Sequence, residues 1–158
     1  MRVYLDACCL SRLTDDQSQA SIREEAEAVE QVLARVLLGT VELLSSETLK
    51  GEVRRNPSME RRVEAQTTLS LAVTSIAIDE AIALRARNLV RLGYGPFDAL
   101  HLAAAKSAEV DVLLTTDYRL LKLTARTLGT PRIPVQIRYL GSRSKGCDRH
   151  RPIERRTV

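Results

Sequence analysis

Short apolar runs rich in β-branched residues alternate along this chain with longer stretches in which apolar residues return every three or four positions. The runs "RVYL" (2–5), "VELLSS" (41–46), "VTSIAI" (73–78), "VDVLLTT" (110–116) and "PVQIRYL" (134–140) predict strands. Between them, "SIREEAEAVEQVLARVLLG" (21–39) places Val29, Val32, Leu33, Val36 and Leu37 on one helical face and stops at Gly39. Further helices are predicted over 47–55, 58–72, 80–93 behind a capping Asp79, Phe97–Ala108 after the turn "GYGP", and 118–128. Strands that alternate with helices predict an α/β fold whose mainly parallel central sheet is covered on both faces. No repeat, low-complexity block or linker interrupts the pattern.

The 158 residues suit one domain with a real core, and 44% hydrophobic residues with only 3% aromatic make that core aliphatic. The formal charge of +4 is uneven: residues 1–140 hold 18 basic and 18 acidic side chains, whereas 141–158 hold six and two. The chain therefore divides into a charge-balanced body, 1–140, and a basic tail, "GSRSKGCDRHRPIERRTV". The tail reads as extended or mobile, a solvated terminus or a phosphate contact. Cys8 and Cys9 are adjacent and Cys147 is remote, which gives neither a disulfide framework nor metal-ligand spacing. Asp6 interrupts "VYLDACCL" before a signal sequence could form, and no run is long enough to span a membrane. A soluble, cytoplasmic protein is expected.

Four acids change the picture. Asp6 ends the first strand, Asp117 ends "VLLTT", Asp98 opens a helix, and Glu52 lies on the helix after the second strand. In an open parallel sheet the cleft forms beyond the carboxyl ends of the strands, so these acids are expected to share it. Carboxylates crowded together take up protons unless a cation offsets the repulsion. Hard oxygen ligands suit Mg²⁺ or Mn²⁺, and hydrolysis of a phosphodiester follows from that chemistry. Plainer readings stand beside this one: Asp6 as a turn residue, Asp98 and Asp117 as helix N-caps, which is compatible with metal binding, and Glu52 on a solvated face. His101 is expected to pack or hydrogen-bond locally, and His150 falls in the tail. No GxSxG, GxxxxGK[ST] or GxGxxG motif is present, and Cys8 stands where a phosphatase DxD would need its second aspartate.

Taken in order, "VYLDACCL", "SSETLKGEV", "FDALHLAAA" and "LLTTDYRLL" resemble the PIN domain, the nuclease fold of VapC-type toxins of bacterial toxin–antitoxin pairs. The resemblance covers residues 1–140 and implies a three-layer α/β/α sandwich. It makes Asp6, Glu52, Asp98 and Asp117 the metal-binding and catalytic acids, with Thr115 and Thr116 supporting metal or phosphate. The implied cofactor is Mg²⁺ or Mn²⁺ and the implied substrate RNA, with a homodimer and an inhibitory antitoxin as partners. The family often has Asn or Ser where Cys8 stands. Glu47 competes with Glu52 for the second acid, but five residues apart on a helix they diverge by about 140°, so one alone faces the cleft, and Glu52 is preferred. The alternative is a PIN scaffold that binds RNA or a protein with little hydrolysis.

Overall fold

The structure, a computed structural model, describes residues 1–127 and 136–139. The basic tail with Cys147 and His150, and the outer ends of the last predicted helix and strand, lie outside the described residues. The elements are β1 (Arg2–Leu5), α1 (Ala7–Arg12), α2 (Ala20–Leu37), β2 (Glu42–Ser46), α3 (Glu47–Arg55), α4 (Met59–Ser70), β3 (Thr74–Ile76), α5 (Glu80–Arg91), α6 (Pro96–Ser107), β4 (Val112–Thr115), α7 (Tyr118–Thr127) and β5 (Gln136–Tyr139). The five strands form one sheet in the order β3-β2-β1-β4-β5, and every pair is parallel.

Val3, Tyr4 and Leu5 are all buried, as are Leu43 and Leu44 on β2 and Leu113 on β4. Successive strand residues point to opposite faces, so burial without alternation means that both faces of the central strands are covered. Each fully buried leucine stabilises the fold by about 1.5–3 kcal/mol. The helical stripes supply the cover: Val29 and Val32 from α2, Leu49 and Val53 from α3, Ile82 and Leu89 from α5, and Leu102 and Ala103 to Ala105 from α6. Alanines run through α6, where Ala99, Ala103, Ala104 and Ala105 are 0% exposed. Small side chains there leave no gap between helix and neighbours.

Several boundaries differ from the sequence pattern. α1 was not anticipated; its six residues are too few to show a helical period, and Asp6 starts it by accepting a hydrogen bond from the Ala7 amide at 2.8 Å. Leu37 was expected on the buried face of α2 but is 71% exposed, because it is the helix's last residue and the chain leaves at Gly39 with φ of +71°. β3 is three residues, shorter than the predicted run, with only Ile76 buried. Asp79 caps α5 as expected, accepting from the Ile82 amide at 2.8 Å.

The strand order creates the site. From β1 the chain steps outward to β2 and β3, then returns to the other side of β1 for β4 and β5. Connections diverge between β1 and β4, and in parallel sheets that divergence opens a crevice beyond the carboxyl ends of the two strands. Leu5 pairs with Leu114, and the Asp6 amide donates to the Leu114 carbonyl at 3.0 Å. Asp6 and Thr115 are thereby side by side at the crevice mouth.

Candidate active site

Asp6 is buried and anchored at both carboxylate oxygens. Oδ1 caps α1, while Oδ2 accepts from the Thr115 hydroxyl at 2.9 Å and from the Cys8 thiol at 3.2 Å. Thr115 Oγ1 in turn accepts from the Asp117 amide at 2.9 Å, so one hydroxyl ties the acid ending β1 to the acid following β4. Asp117 Oδ1 accepts from the Arg119 and Leu120 amides at 2.7 and 3.3 Å, which caps α7. The N-cap reading of Asp117 therefore holds alongside its place at the crevice. Thr116 donates its backbone N–H to Cys8 Sγ at 3.3 Å, and its hydroxyl is buried with no hydrogen-bond partner among the described residues. Cys8 is not a passive gap at the rim: its sulfur touches Asp6, Thr115 and Thr116 and occupies the place of a small polar group.

Glu52 faces the crevice from α3, and Glu47 does not. Glu47 Oε2 instead accepts from the Ile78 amide at 2.9 Å, tying the start of α3 to the chain beyond β3. Glu52 Oε2 meets His101 Nε2 at 2.9 Å. His101 is only 2% exposed, and its Nδ1 lies 2.8 Å from the Tyr4 hydroxyl, which lies 2.7 Å from Ser46 Oγ. Ser46 also caps α3, accepting from the Leu49 amide at 3.1 Å. His101 Nε2 is 4.0 Å from Asp6 Oδ1, so the imidazole stands between two of the four acids. Pattern reading gave His101 a local role on its helix; the signal that it reaches further is its position three residues, almost one turn, after Asp98 in the same helix.

Asp98 is not the N-cap of α6. Gly95 is the cap residue, Pro96 takes the first helical position, and Asp98 is the third. A proline there is favoured because its missing N–H is one the helix start leaves unpaired. Asp98 folds back so closely that a Cβ on Gly95 would lie 2.9 Å from Oδ2. Burial raises the Asp98 carboxyl above the usual range, and the negative charges of Asp6, Asp117 and Glu52 add to that. Asp98 is thus near enough to the other three predicted acids for their charges to act on it. No three His, Cys, Asp or Glu side chains among the described residues converge tightly enough to hold an ion as they stand. The donor set itself is carboxyl and hydroxyl oxygen, which fits a hard divalent cation.

The fold is that of an α/β protein with acids near the switch point of a parallel sheet, and residues 3–126 match the PIN domain model. The chain belongs to the PIN domain family, whose members are generally nucleases. Similar solved structures include FitAcB from Neisseria gonorrhoeae, at 16% identity and a TM-score of 0.54, covering 85% of this chain and 95% of that one. VapBC2 from Rickettsia felis, bound to a DNA fragment from its promoter, matches at 11% identity and a TM-score of 0.54, covering 88% and 98%. VapBC-1 from nontypeable Haemophilus influenzae matches at 16% identity and a TM-score of 0.54, covering 89% and 98%. At these identities the likeness is one of fold. No curated protein matches the chain. Among the described residues no helix is long and apolar enough to cross a membrane.

Proposed function

We propose that this protein is a metal-dependent ribonuclease, the toxin of a toxin–antitoxin pair, and that Asp6, Glu52, Asp98 and Asp117 are its metal-binding and catalytic acids. The observation that supports this reading is that Asp98, on α6, feels the charges of Asp6, Asp117 and Glu52, three acids carried by other segments around the β1–β4 switch point. A bare acidic cluster costs stability, so a chain that builds one has a use for a cation there. Mg²⁺ or Mn²⁺, when bound, would supply Lewis acidity, lowering the pKa of water and offsetting charge on a phosphate. The residues do the rest. Asp6 and Asp117 keep one fixed geometry through Thr115, Glu52 is held by His101, and Asp98 presents its carboxylate from the first turn of α6. Thr116, with its unpartnered hydroxyl, is suited to contact a phosphate oxygen or a bound water. Likeness to the VapBC structures supports an antitoxin as partner, and the toxin reading brings with it RNA as substrate, a homodimer as assembly and the cytoplasm as place of action.

A scaffold that binds RNA or protein without cutting is the competing reading, favoured by the lack of three converging donors among the described residues. Cleavage of a mixed pool of single-stranded and structured RNAs, with Mg²⁺, Mn²⁺ or EDTA, separates the two. Cutting that needs metal and disappears in folded Asp6→Asn and Asp98→Asn supports the nuclease. Cutting that persists in both variants, or that no metal restores, refutes the four-acid mechanism.

A further inference from the structure

The hydrogen bonds behind Glu52 have a direction. Ser46 Oγ accepts from the Leu49 amide, and its only other hydrogen-bond partner among the described residues is the Tyr4 hydroxyl. Ser46 is 0% exposed, so its hydroxyl proton has to be donated to Tyr4, because a buried proton without an acceptor costs about 1–3 kcal/mol. Tyr4 has one proton of its own and must then donate it to His101 Nδ1. With Nδ1 occupied as an acceptor, the imidazole proton sits on Nε2 and faces Glu52 Oε2 at 2.9 Å. The Ser46 and Tyr4 hydroxyls and both His101 ring nitrogens are satisfied in this order. In the reverse order the Ser46 proton has nowhere to go.

We propose that His101 is a positioning residue: the Ser46–Tyr4 pair fixes its tautomer, and its Nε2–H then holds Glu52 by one oxygen, leaving the other for the crevice. The inference rests on the reading of Glu52 as a catalytic acid. It accounts for the placement of a histidine at 2% exposure in a helix whose other buried residues are alanine and leucine. The chain starts in the core, at the cap of α3, and ends on the acid that α3 carries. Helix position and carboxylate orientation are thus set by one serine. The same Nε2–H, 4.0 Å from Asp6 Oδ1, lowers the repulsion between Asp6 and Glu52 that would otherwise turn Glu52 outward. Groups that orient a metal-binding side chain in this way are typically worth about 10- to 100-fold in affinity or activity.

The test uses two substitutions of similar cost to the core. In His101→Gln the terminal amide nitrogen takes the place of Nε2 and still donates to Glu52, whereas the shorter His101→Asn reaches toward Tyr4 but not Glu52. Mn²⁺ affinity by calorimetric titration and RNA cleavage are measured on both, with thermal melts to establish that they fold. The expected result is a loss of about 10- to 100-fold for His101→Asn in affinity and turnover, and much less for His101→Gln. Equal losses in the two folded variants would overturn the proposal, since a merely structural histidine fails alike in either. ¹⁵N spectra of the wild-type imidazole, which need neither metal nor RNA, are expected to show the Nε2–H tautomer, giving way to a mixture in Tyr4→Phe. An Nδ1–H or doubly protonated ring in the wild type overturns the proposal. A wild type that neither binds Mn²⁺ nor cuts RNA would sink the nuclease reading, while the spectra would still decide the hydrogen-bond direction.

Discussion

Removing the Tyr4 hydroxyl tests how much of the fold depends on the polar chain under the site. In Tyr4→Phe the ring stays and two partners lose their bond: the Ser46 hydroxyl, 0% exposed, and His101 Nδ1, on a side chain 2% exposed. Each stranded polar group costs about 1–3 kcal/mol. Against that sum, about 1–2 kcal/mol is recovered because phenylalanine has no hydroxyl to desolvate. Ser46 also keeps its bond from the Leu49 amide. The net expectation is a loss of about 2–4 kcal/mol, measured by urea unfolding followed by circular dichroism, with the slope unchanged. For a chain of this size that lowers the melting temperature by roughly 4–16 °C. Ser46→Ala in the same background should cost less than it does in the wild type, by about 1–2 kcal/mol, because its proton has already lost its acceptor. A loss below about 0.5 kcal/mol, or strict additivity of the two substitutions, would refute the accounting.

Three further outcomes follow from individual residues. Because the folded state raises the Asp98 carboxyl, through burial and then Asp6 and Asp117, it binds that proton more tightly than the unfolded chain does; stability is full below the unfolded value and falls as pH rises through the folded one. Asp98→Asn is therefore expected to gain stability relative to wild type between about pH 4 and pH 7, by thermal melts across that range, and a gap that shrinks with rising pH would contradict it. Gly95→Ala suits a backbone at φ −61° and ψ 149°, so its melting temperature should hold or rise, but its Cβ must displace Asp98 Oδ2, and RNA cleavage should fall by about ten- to a hundredfold. Arg12→Met strips the charge that joins Glu25 on α2 to Asp15, itself bonded to Arg61 at 2.9 Å, and should cost about 2–3 kcal/mol by urea unfolding. That is less than for a fully buried pair, since Arg12 keeps a quarter of its side chain exposed.

Long periodic segments were legible from the sequence because burial on one face repeats over many residues, as in α2 and α5. The alternation of strand and helix then dictated a parallel sheet, and with it the meeting of Asp6 and Asp117 at one edge. Short or local features were not legible. α1 has too few turns to show a period, and the capping role of Gly95 depends on Pro96 following it, a signal that the more visible Asp98 masked. Tyr4 falls in a predicted strand and is buried in the core, yet its hydroxyl reaches Ser46, 42 residues along, and His101, 97 residues along. Contacts at such separations leave no mark in spacing, so the polar chain under Glu52 appears only once the sheet register is known.

The four acids differ in what holds them, and that difference says where the repulsion falls. Asp6 has hydrogen bonds to both oxygens, Asp117 is pinned by two amides of α7, and Glu52 by His101. Asp98 has the first turn of α6 and the hollow left by Gly95. A charge near a helix start gains about 0.3–1 kcal/mol, which is small beside the crowding of several carboxylates with partial burial. Asp98 is therefore an acid whose ionisation costs the fold and whose replacement relieves it. If the site is built to receive a cation, Mn²⁺ should raise the melting temperature of the wild type by more than that of Asp98→Asn. In EDTA the order of the two at pH 7 should reverse, with the variant the more stable. An Asp98→Asn protein that is less stable than wild type with and without metal would mean that the carboxylate supports the fold, and the crowding argument would fail with it.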